Sequence, residues 1–392
     1  MSFKILNTDV QDFINNSLKV NFTKTALLKN PFPDIPWNEI LNQIASKSKA
    51  QEKLPTWFSQ EGIMYPGKIS IEQTSSEVTA KYKASVVSGE SLIDLTGGFG
   101  VDDYYFSKSM KEVVHCELKP ELSEIVSHNF DVLDAGNITC IQGDSLKILQ
   151  KLDRQFDWIY IDPSRRSDAK GKVFMLQDCL PNVPENLGDY FLFSKNILIK
   201  TAPILDITAG LAELKNVKTI HIVALNNEVK ELLWEIQQGY TGRISVKTIH
   251  FSKSGEEKFE FTLHSKPENI TYSLPKKYIY EPNSAILKSG AFDLIPNAFA
   301  LEKLHQHSHL YTSDQIVDFP GRVFRLAHSF EFTKKNMKEQ LQEKKANITT
   351  RNFPETVENI RKKFKIKDGG DTYTFFTTDA NNNKIVLICA KI

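Results

Sequence analysis

Ser91-Leu92-Ile93-Asp94-Leu95-Thr96-Gly97-Gly98-Phe99-Gly100-Val101-Asp102-Asp103 is the stretch that decides the fold. Leu92 and Ile93 begin an apolar run without polar alternation, the pattern of a strand buried on both faces of a parallel sheet. The run ends at Asp94, and Gly97, Gly98 and Gly100 follow before helix-forming residues resume at Val101. Glycine is needed where backbone turns sharply and a ligand approaches, because a Cβ would fill that space. Strand, glycine turn and helix in this order predict the nucleotide-binding corner of a doubly wound α/β domain. A purely structural turn capped by an aspartate is the plainer alternative.

Charge separates the ligands that use such a corner. A dinucleotide sets its anionic pyrophosphate on the helix N-terminus, where free N–H groups and the dipole favour it. Here Asp94 ends the strand and Asp102 and Asp103 open the helix, and three carboxylates would repel that group. The third glycine of G-x-G-x-x-G is also absent, since Asp103 stands three positions after Gly100. S-adenosylmethionine carries an ammonium and a sulfonium and suits carboxylates. The segment Asp-Leu-Thr-Gly-Gly-Phe-Gly-Val-Asp resembles motif I of class I S-adenosylmethionine-dependent methyltransferases, with Thr96 where many members have glycine, as in the RNA-modifying branch.

Composition bounds the rest. At 392 residues the chain has room for two or three domains, and 41% hydrophobic with 25% charged residues is ordinary for a soluble globular protein. Cys116, Cys140, Cys179 and Cys389 make no C-x-x-C pair, so neither a zinc site nor a disulfide framework is expected, and the metal expectation is none. The start, Met-Ser-Phe-Lys-Ile-Leu-Asn, lacks an apolar leader core and no run approaches a membrane span, which points to the cytoplasm. Net charge is +1, yet Arg322 to Lys367 holds thirteen Lys and Arg against five Glu, a net +8, leaving −7 for the other 346 residues. That asymmetry suggests an anion-binding portion, with nucleic acid the obvious partner.

Along the chain, residues 1–70 read as helical, with Pro36 before the periodic Trp37, Ile40, Leu41 and Ile44. Ser75 or Ser76 caps a helix that leads into the strand at Ser91. Glu117 ends the second strand 23 positions after Asp94, where an acid binds ribose hydroxyls. Asp144 follows the third strand and caps the next helix. The fourth strand, Phe156 to Ile161, is closed by Asp162-Pro163-Ser164-Arg165-Arg166. Asn226-Asn227-Glu228-Val229-Lys230-Glu231 opens a helix to about Gln238, and two strand-like runs, 245–251 and 257–264, complete a seven-stranded sheet near residue 265. Residues 275–320 mix helix and loop, followed by a basic helix at 333–346, a second helix to Lys365 and two strands.

Motif I, Asp-Pro-Ser-Arg-Arg, Pro320-Gly321-Arg322 and Arg351-Asn352-Phe353-Pro354 together resemble an uncharacterised bacterial methyltransferase family with C-terminal ferredoxin-like and THUMP-like modules. The likeness covers roughly residues 50 to 391. It implies four parts: an N-terminal helical region (1–70), a methyltransferase domain (71–265), a small ferredoxin-like module (275–320) and a THUMP-like, RNA-binding module (321–392). It implies that S-adenosylmethionine meets Asp94, Gly97 and Gly98 at its methionine end, Glu117 at ribose and Asp144 at adenine, with Thr96, Gly100 and Leu118 also lining the cofactor. Asp162 and Pro163 stand at the substrate-side motif IV as the catalytic pair, replacing the Asn-Pro-Pro-Tyr of many amino-methyltransferases, which puts adenine N6 specificity in doubt. Ser164, Arg165, Arg166, Arg322, Arg351, Arg361, Lys362 and Lys363 are the expected substrate contacts. The expected activity is direct methyl transfer to a base of tRNA or rRNA, an amine nitrogen favoured over pyrimidine C5. Alternatives are a protein or small-molecule methyltransferase, a non-catalytic RNA-binding protein, and a nicotinamide oxidoreductase disfavoured by the acids. Nothing in the sequence sets the oligomeric state.

Overall fold

The computed structural model describes residues 3–165 and 175–392, so Arg166 lies outside the described residues. The chain divides into two compact units, residues 1–219 with 232–242 and residues 220–231 with 243–392. The first unit opens with helices, among them α1 (Thr8–Ser17) and α2 (Trp37–Lys53), whose N-cap is Pro36. The buried positions Ile40, Ile44 and Ala50 recur at helical spacing, which is why this segment coils rather than extends. They join Trp57, Met64 and Tyr65 in one apolar core with Phe99, Val101 and Tyr105 of the glycine turn and its helix. Thr56 donates from its backbone N–H and its hydroxyl to Glu77, and Tyr105 donates to the same carboxylate at 2.7 Å. The N-terminal helices are thereby part of the wall behind the turn.

Among the described residues the sheet has nine strands and not the seven expected, and it includes β1 (Ser91–Asp94), β2 (Glu112–Glu117), β3 (Ile138–Gln142), β4 (Trp158–Ile161), β5 (Asn196–Thr201), β6 (Val217–Leu225) and β7 (Glu228–Gln237). Their order is β6-β7-β5-β4-β1-β2-β3, with parallel pairing from β5 through β3 and β7 antiparallel to β5. The helices α3 (Glu77–Val86), α4 (Val101–Phe106), α5 (Pro120–Val132) and α6 (Ser145–Leu152) precede or link the first strands, giving the doubly wound arrangement expected. Leu92, Ile93, Ile159, Ile161, Ile197, Leu198 and Ile199 are fully buried, as their unbroken apolar runs require. In this topology β1 and β4 are neighbours at the point where the strand order reverses, and open α/β sheets bind ligands outside the carboxyl ends of such strands.

Another expectation is corrected. Residues 228–237 form β7 and not a helix. Val229, Leu232, Leu233 and Ile236 do fall at helical spacing, but the preceding Asn226 and Asn227 both adopt positive φ, 52° and 62°. That is the two-residue turn that joins twisted antiparallel strands, and asparagine tolerates it best after glycine. Pairing with β5 from Asn196↔Gln237 to Thr201↔Leu232 then decides the matter, burying Leu232, Leu233 and Trp234 completely.

In the second unit, β8 (Ser245–Ser252) and β9 (Gly255–Thr262) form an antiparallel hairpin. A separate sheet contains β10 (Tyr278–Pro282), β11 (Tyr311–Ser313), β12 (Gly321–Glu331), β13 (Asn347–Thr350), β14 (Thr372–Thr378) and β15 (Lys384–Lys391). Its order is β11-β10-β12-β15-β14-β13, with the short strand Glu302–Lys303 on the β11 edge. Residues 275–320 thus contain strands besides the helix and loop expected of them. The helices α7 (Lys334–Gln340) and α8 (Val357–Phe364) pack Met337, Ile360 and Phe364 against Phe376 and Val386.

Candidate functional site

The glycine turn is built around His115 in β2. A Cβ on Gly97 would lie 2.1 Å from the imidazole, so only glycine lets the turn pass over the ring. Gly97 N–H donates to the carbonyl of Cys116 at 2.9 Å, and Gly98, at φ 57°, donates to Glu117 Oε2 at 3.2 Å. The other Glu117 oxygen accepts from Lys119 N–H at 2.7 Å, leaving a half-exposed carboxylate against the turn. Gly100 has φ 74°, and a Cβ there would meet Phe130 at 2.5 Å.

The three acids of the turn do not share one environment. Asp94 accepts at one oxygen from Thr96 N–H at 2.7 Å and from the Thr96 hydroxyl at 3.0 Å. Burial, followed by the nearby Asp103, raises its proton affinity well above the ordinary carboxylate range. Asp102 and Asp103 turn inward and not toward a ligand. Asp102 accepts from Ser75 at 2.9 Å and Tyr160 at 2.8 Å and pairs with the fully buried Lys83 at 3.3 Å. Asp103 lies 2.5 Å from His115 Nδ1, with burial holding its pKa high and that of the imidazole low. The expectation that all three face a cationic ligand is therefore corrected for Asp102 and Asp103: α4 faces the core along this side.

Thr96 couples the turn to motif IV. Its hydroxyl donates to Asp94 and accepts the backbone N–H of Asp162 at 2.7 Å. The Asp162 side chain is 37% exposed, and Lys200 Nζ of β5 sits 2.6 Å from its Oδ2. Pro163 is buried, Ser164 is exposed and pairs with Leu180, and Arg165 pairs with Cys179 in a short antiparallel bridge. Beyond β3, Asp144 accepts from Lys147 N–H at 3.1 Å as the cap of α6, while Gly143 N–H reaches the Glu117 carbonyl at 3.0 Å. Leu118 is 66% exposed beside these groups. Asp94, Thr96, Gly97, Gly98, Glu117, Leu118, Asp144 and Asp162 thus gather along the carboxyl ends of four neighbouring strands. Sequence reasoning missed Lys200, His115 and Lys83, although a lysine closing the apolar run Ile197-Leu198-Ile199 was a readable signal.

The basic residues of the second unit are held differently. Glu281, 3% exposed, receives Arg322 Nε at 2.8 Å and Arg351 at 3.0 Å. A Cβ on Gly321 would strike the Glu281 carbonyl at 2.3 Å, so Pro320-Gly321-Arg322 is shaped to this contact. Arg361 donates to the Ala346 carbonyl at 3.1 Å and pairs with Asp368, and Lys363 pairs with Glu355 at 2.9 Å. Lys362 is exposed, as are Lys334, Lys335, Lys338, Lys344, Lys345, Lys365 and Lys367.

These features have a counterpart among solved structures. The crystal structure of a "putative methyltransferase from Porphyromonas gingivalis W83" aligns over 97% of this chain and 96% of its own at 30% identity and TM-score 0.85. Family models for a ferredoxin-like domain and a THUMP domain-like segment match residues 278–320 and 321–391. The chain belongs to the family of that "putative methyltransferase". Slighter likenesses reach the "Putative methyltransferase yhhF from Escherichia coli", at 17% identity over 41% of this chain and 84% of that one (TM-score 0.31), and M. capricolum TrmK with S-adenosylhomocysteine, at 15% over 41% and 68% (TM-score 0.32). No curated protein matches the chain.

The residues fit S-adenosylmethionine, the cofactor expected of the turn. Gly98 has no heavy atom nearer than 3.6 Å to the position of an added Cβ, so its outer side is open to a ligand. Glu117 presents a carboxylate on that side, and among the described residues no basic side chain is paired with it that would draw in a pyrophosphate instead. Among the described residues no cluster of His, Cys, Asp or Glu is arranged to hold a metal, and no helix is long and apolar enough to cross a membrane.

Proposed function

We propose that this methyltransferase modifies a base nitrogen of tRNA or rRNA by direct transfer. The observation that carries the reading is the Thr96 link, which ties the Asp162 backbone at 2.7 Å to the turn that meets the cofactor. Acceptor and cofactor groups are thereby set by one hydroxyl, and positioning of this kind is the main contribution an enzyme makes to a transfer between two bound groups. S-adenosylmethionine, when bound, supplies a methyl group already activated on a sulfonium.

In this reading Asp94 orders the turn through Thr96, Gly97 and Gly98 let the cofactor approach, Gly100 starts α4, Glu117 accepts from ribose hydroxyls, and Leu118 and Asp144 border adenine. Asp162 accepts from the N–H groups of the target base, with Pro163 fixing the turn. Ser164, Arg165 and Arg166 would follow the target strand. A base within a helix must leave its stack to reach Asp162. The residues 1–70, 71–265, 275–320 and 321–392 then serve as scaffold, transferase domain, ferredoxin-like module and RNA-binding module. Support for RNA is the net +8 between Arg322 and Lys367, much of it on exposed lysines, and the THUMP domain-like match. Arg322 and Arg351 contribute to that module chiefly by shaping it on Glu281, with Arg361, Lys362 and Lys363 toward the backbone.

Mass spectrometry of nucleosides from tRNA and rRNA of a deletion strain tests the proposal. Loss of one base-methylated nucleoside is expected, with restoration by the wild-type chain. Unchanged RNA together with a missing methyl mark on protein would redirect the assignment to a protein substrate.

A further inference from the structure

We infer that Lys200 and Asp162 act as one donor–acceptor pair that reads the edge of the acceptor base, an inference that rests on Asp162 belonging to the methyl-transfer site. The register Tyr160↔Leu198 and Ile161↔Ile199 sets β4 and β5 side by side, so Asp162, the residue after β4, and Lys200, within β5, are neighbours. Lys200 is only 12% exposed at this position and reaches Asp162 Oδ2 at 2.6 Å. A solvated lysine keeps its freedom, because ordering so long a side chain costs rotamer entropy and an exposed ion pair returns little of it. This one is ordered, and its charge is also felt at Asp102. Asp162 Oδ1 has no hydrogen-bond partner among the described residues.

The chemistry of the pair is directional. A carboxylate accepts and an ammonium only donates. Side by side they match a nitrogen that carries hydrogen and is flanked by a ring acceptor, as in the amino edges of adenine, cytosine and guanine. Asp162 Oδ1 would accept the N–H and aim the nitrogen lone pair, while a second Lys200 N–H donates to the flanking ring atom. The nitrogen–carbon bond forms as the carbon–sulfur bond breaks and its electron pair goes to sulfur. The proton lost from nitrogen passes to Asp162 Oδ1 and on to water.

The test uses the full chain as wild type, Lys200→Met, Lys200→Arg and Asp162→Asn. Each is incubated with trideuteromethyl-labelled S-adenosylmethionine and with tRNA and rRNA purified from a deletion strain, and labelled nucleosides are identified by mass spectrometry. Label on an amino nitrogen is expected, with kcat/KM about 10- to 100-fold lower in Lys200→Met. The loss should fall mainly in KM for RNA and be largely restored in Lys200→Arg. Affinity for S-adenosylhomocysteine, measured by calorimetry, should stay unchanged in all three variants. Label at pyrimidine C5 or on ribose, or no labelled RNA from the wild type, would overturn the base-nitrogen reading itself. An inactive Asp162→Asn beside a fully active Lys200→Met would leave that reading standing and overturn the pair. Lys200→Met with weakened S-adenosylhomocysteine binding and no rescue by arginine would make Lys200 a structural residue, which also overturns it.

Discussion

Glu117 offers the cleanest measurement of the cofactor pocket, because its carboxylate is half-exposed and packs no core. Glu117→Ala should weaken S-adenosylhomocysteine binding about 10- to 100-fold, the worth of a charge-assisted hydrogen bond of ~1.5–3 kcal/mol, with the fold intact. An unaltered isotherm would place the ribose elsewhere. Asp94 is a poorer choice, since its loss strands the Thr96 amide and hydroxyl inside the turn. The cysteines bear on mechanism. Burial first of all pushes the thiols of Cys140 and Cys389 up to about 12, and that of Cys116 higher still. Cys179 is fully buried, and its thiol meets the Met175 carbonyl at 3.6 Å even though the chain brings it opposite Arg165. Cys179→Ser should keep methyl transfer and Asp162→Ala should abolish it with S-adenosylhomocysteine binding retained. An inactive Cys179→Ser enzyme that binds the cofactor normally would point to covalent C5 chemistry instead.

At the scale of elements, the turn and the entry to β1 are the parts most sensitive to small changes. Gly97→Ala would drive a methyl group into His115, whose ring is fixed by Asp103 and cannot yield without opening that buried pair. Its expected cost is ~2–4 kcal/mol, by analogy with overpacking and broken buried hydrogen bonds, read as a lower melting temperature with lost cofactor binding. Wild-type stability in Gly97→Ala would mean that the turn can move off His115. The entry to β1 rests on Asp157, which accepts from Glu90 N–H at 2.7 Å and Ser91 N–H at 2.9 Å. Those amides, that of Glu90 foremost, hold its carboxyl below the usual range. A depressed folded-state pKa gives stability that is present above about pH 4 and lost as pH falls through the folded value. Because the side chain is largely exposed, the contribution is discounted to about 1 kcal/mol. Asp157→Asn should lower the melting temperature by about 2–4 °C at pH 7, with the gap closing toward pH 3. A gap independent of pH would assign the effect to shape and not to charge.

For the whole molecule, RNA binding should reside in exposed charge and not in the arginines clamped by Glu281. Replacing Lys334, Lys335, Lys338, Lys345, Lys362 and Lys365 with Gln should weaken RNA binding and flatten its dependence on salt, since each lost phosphate contact reduces the log–log slope by about 0.7 to 0.9. S-adenosylhomocysteine affinity should be unaffected. Equal RNA affinity with and without these charges would give the module a role in assembly. Glu281→Gln acts on a different property: two arginines lose their shared buried partner, so the second unit should lose stability. Truncation at residue 320 is uninformative for the same reason, because β12 pairs with β10 from Tyr278↔Arg325 to Pro282↔Gly321 and its removal would bare an internal strand.

By itself the sequence determined what depends on neighbours along the chain. The unbroken apolar run before Asp94, three glycines in four positions and the capping residues Ser76 and Asp144 are local signals, and local hydrogen bonding answered them directly. The net charge of residues 322–367 was equally legible, being a sum that no fold can change. Tertiary structure decided whatever needed a partner far away. Asp102 and Asp103 look alike beside the glycines, yet Lys83 and His115, distant in sequence, pull both inward. Val229 to Ile236 carries a helix's periodicity, but pairing with β5 draws it out as a strand, and only the Asn226-Asn227 turn hinted at it. Arg322 and Arg351 read as free cations until Glu281 accounts for both. Lys200 joins Asp162 only because parallel strands 38 residues apart end side by side. Backbone propensity acts over a few residues, whereas a buried charge must find its counterion wherever the fold delivers one.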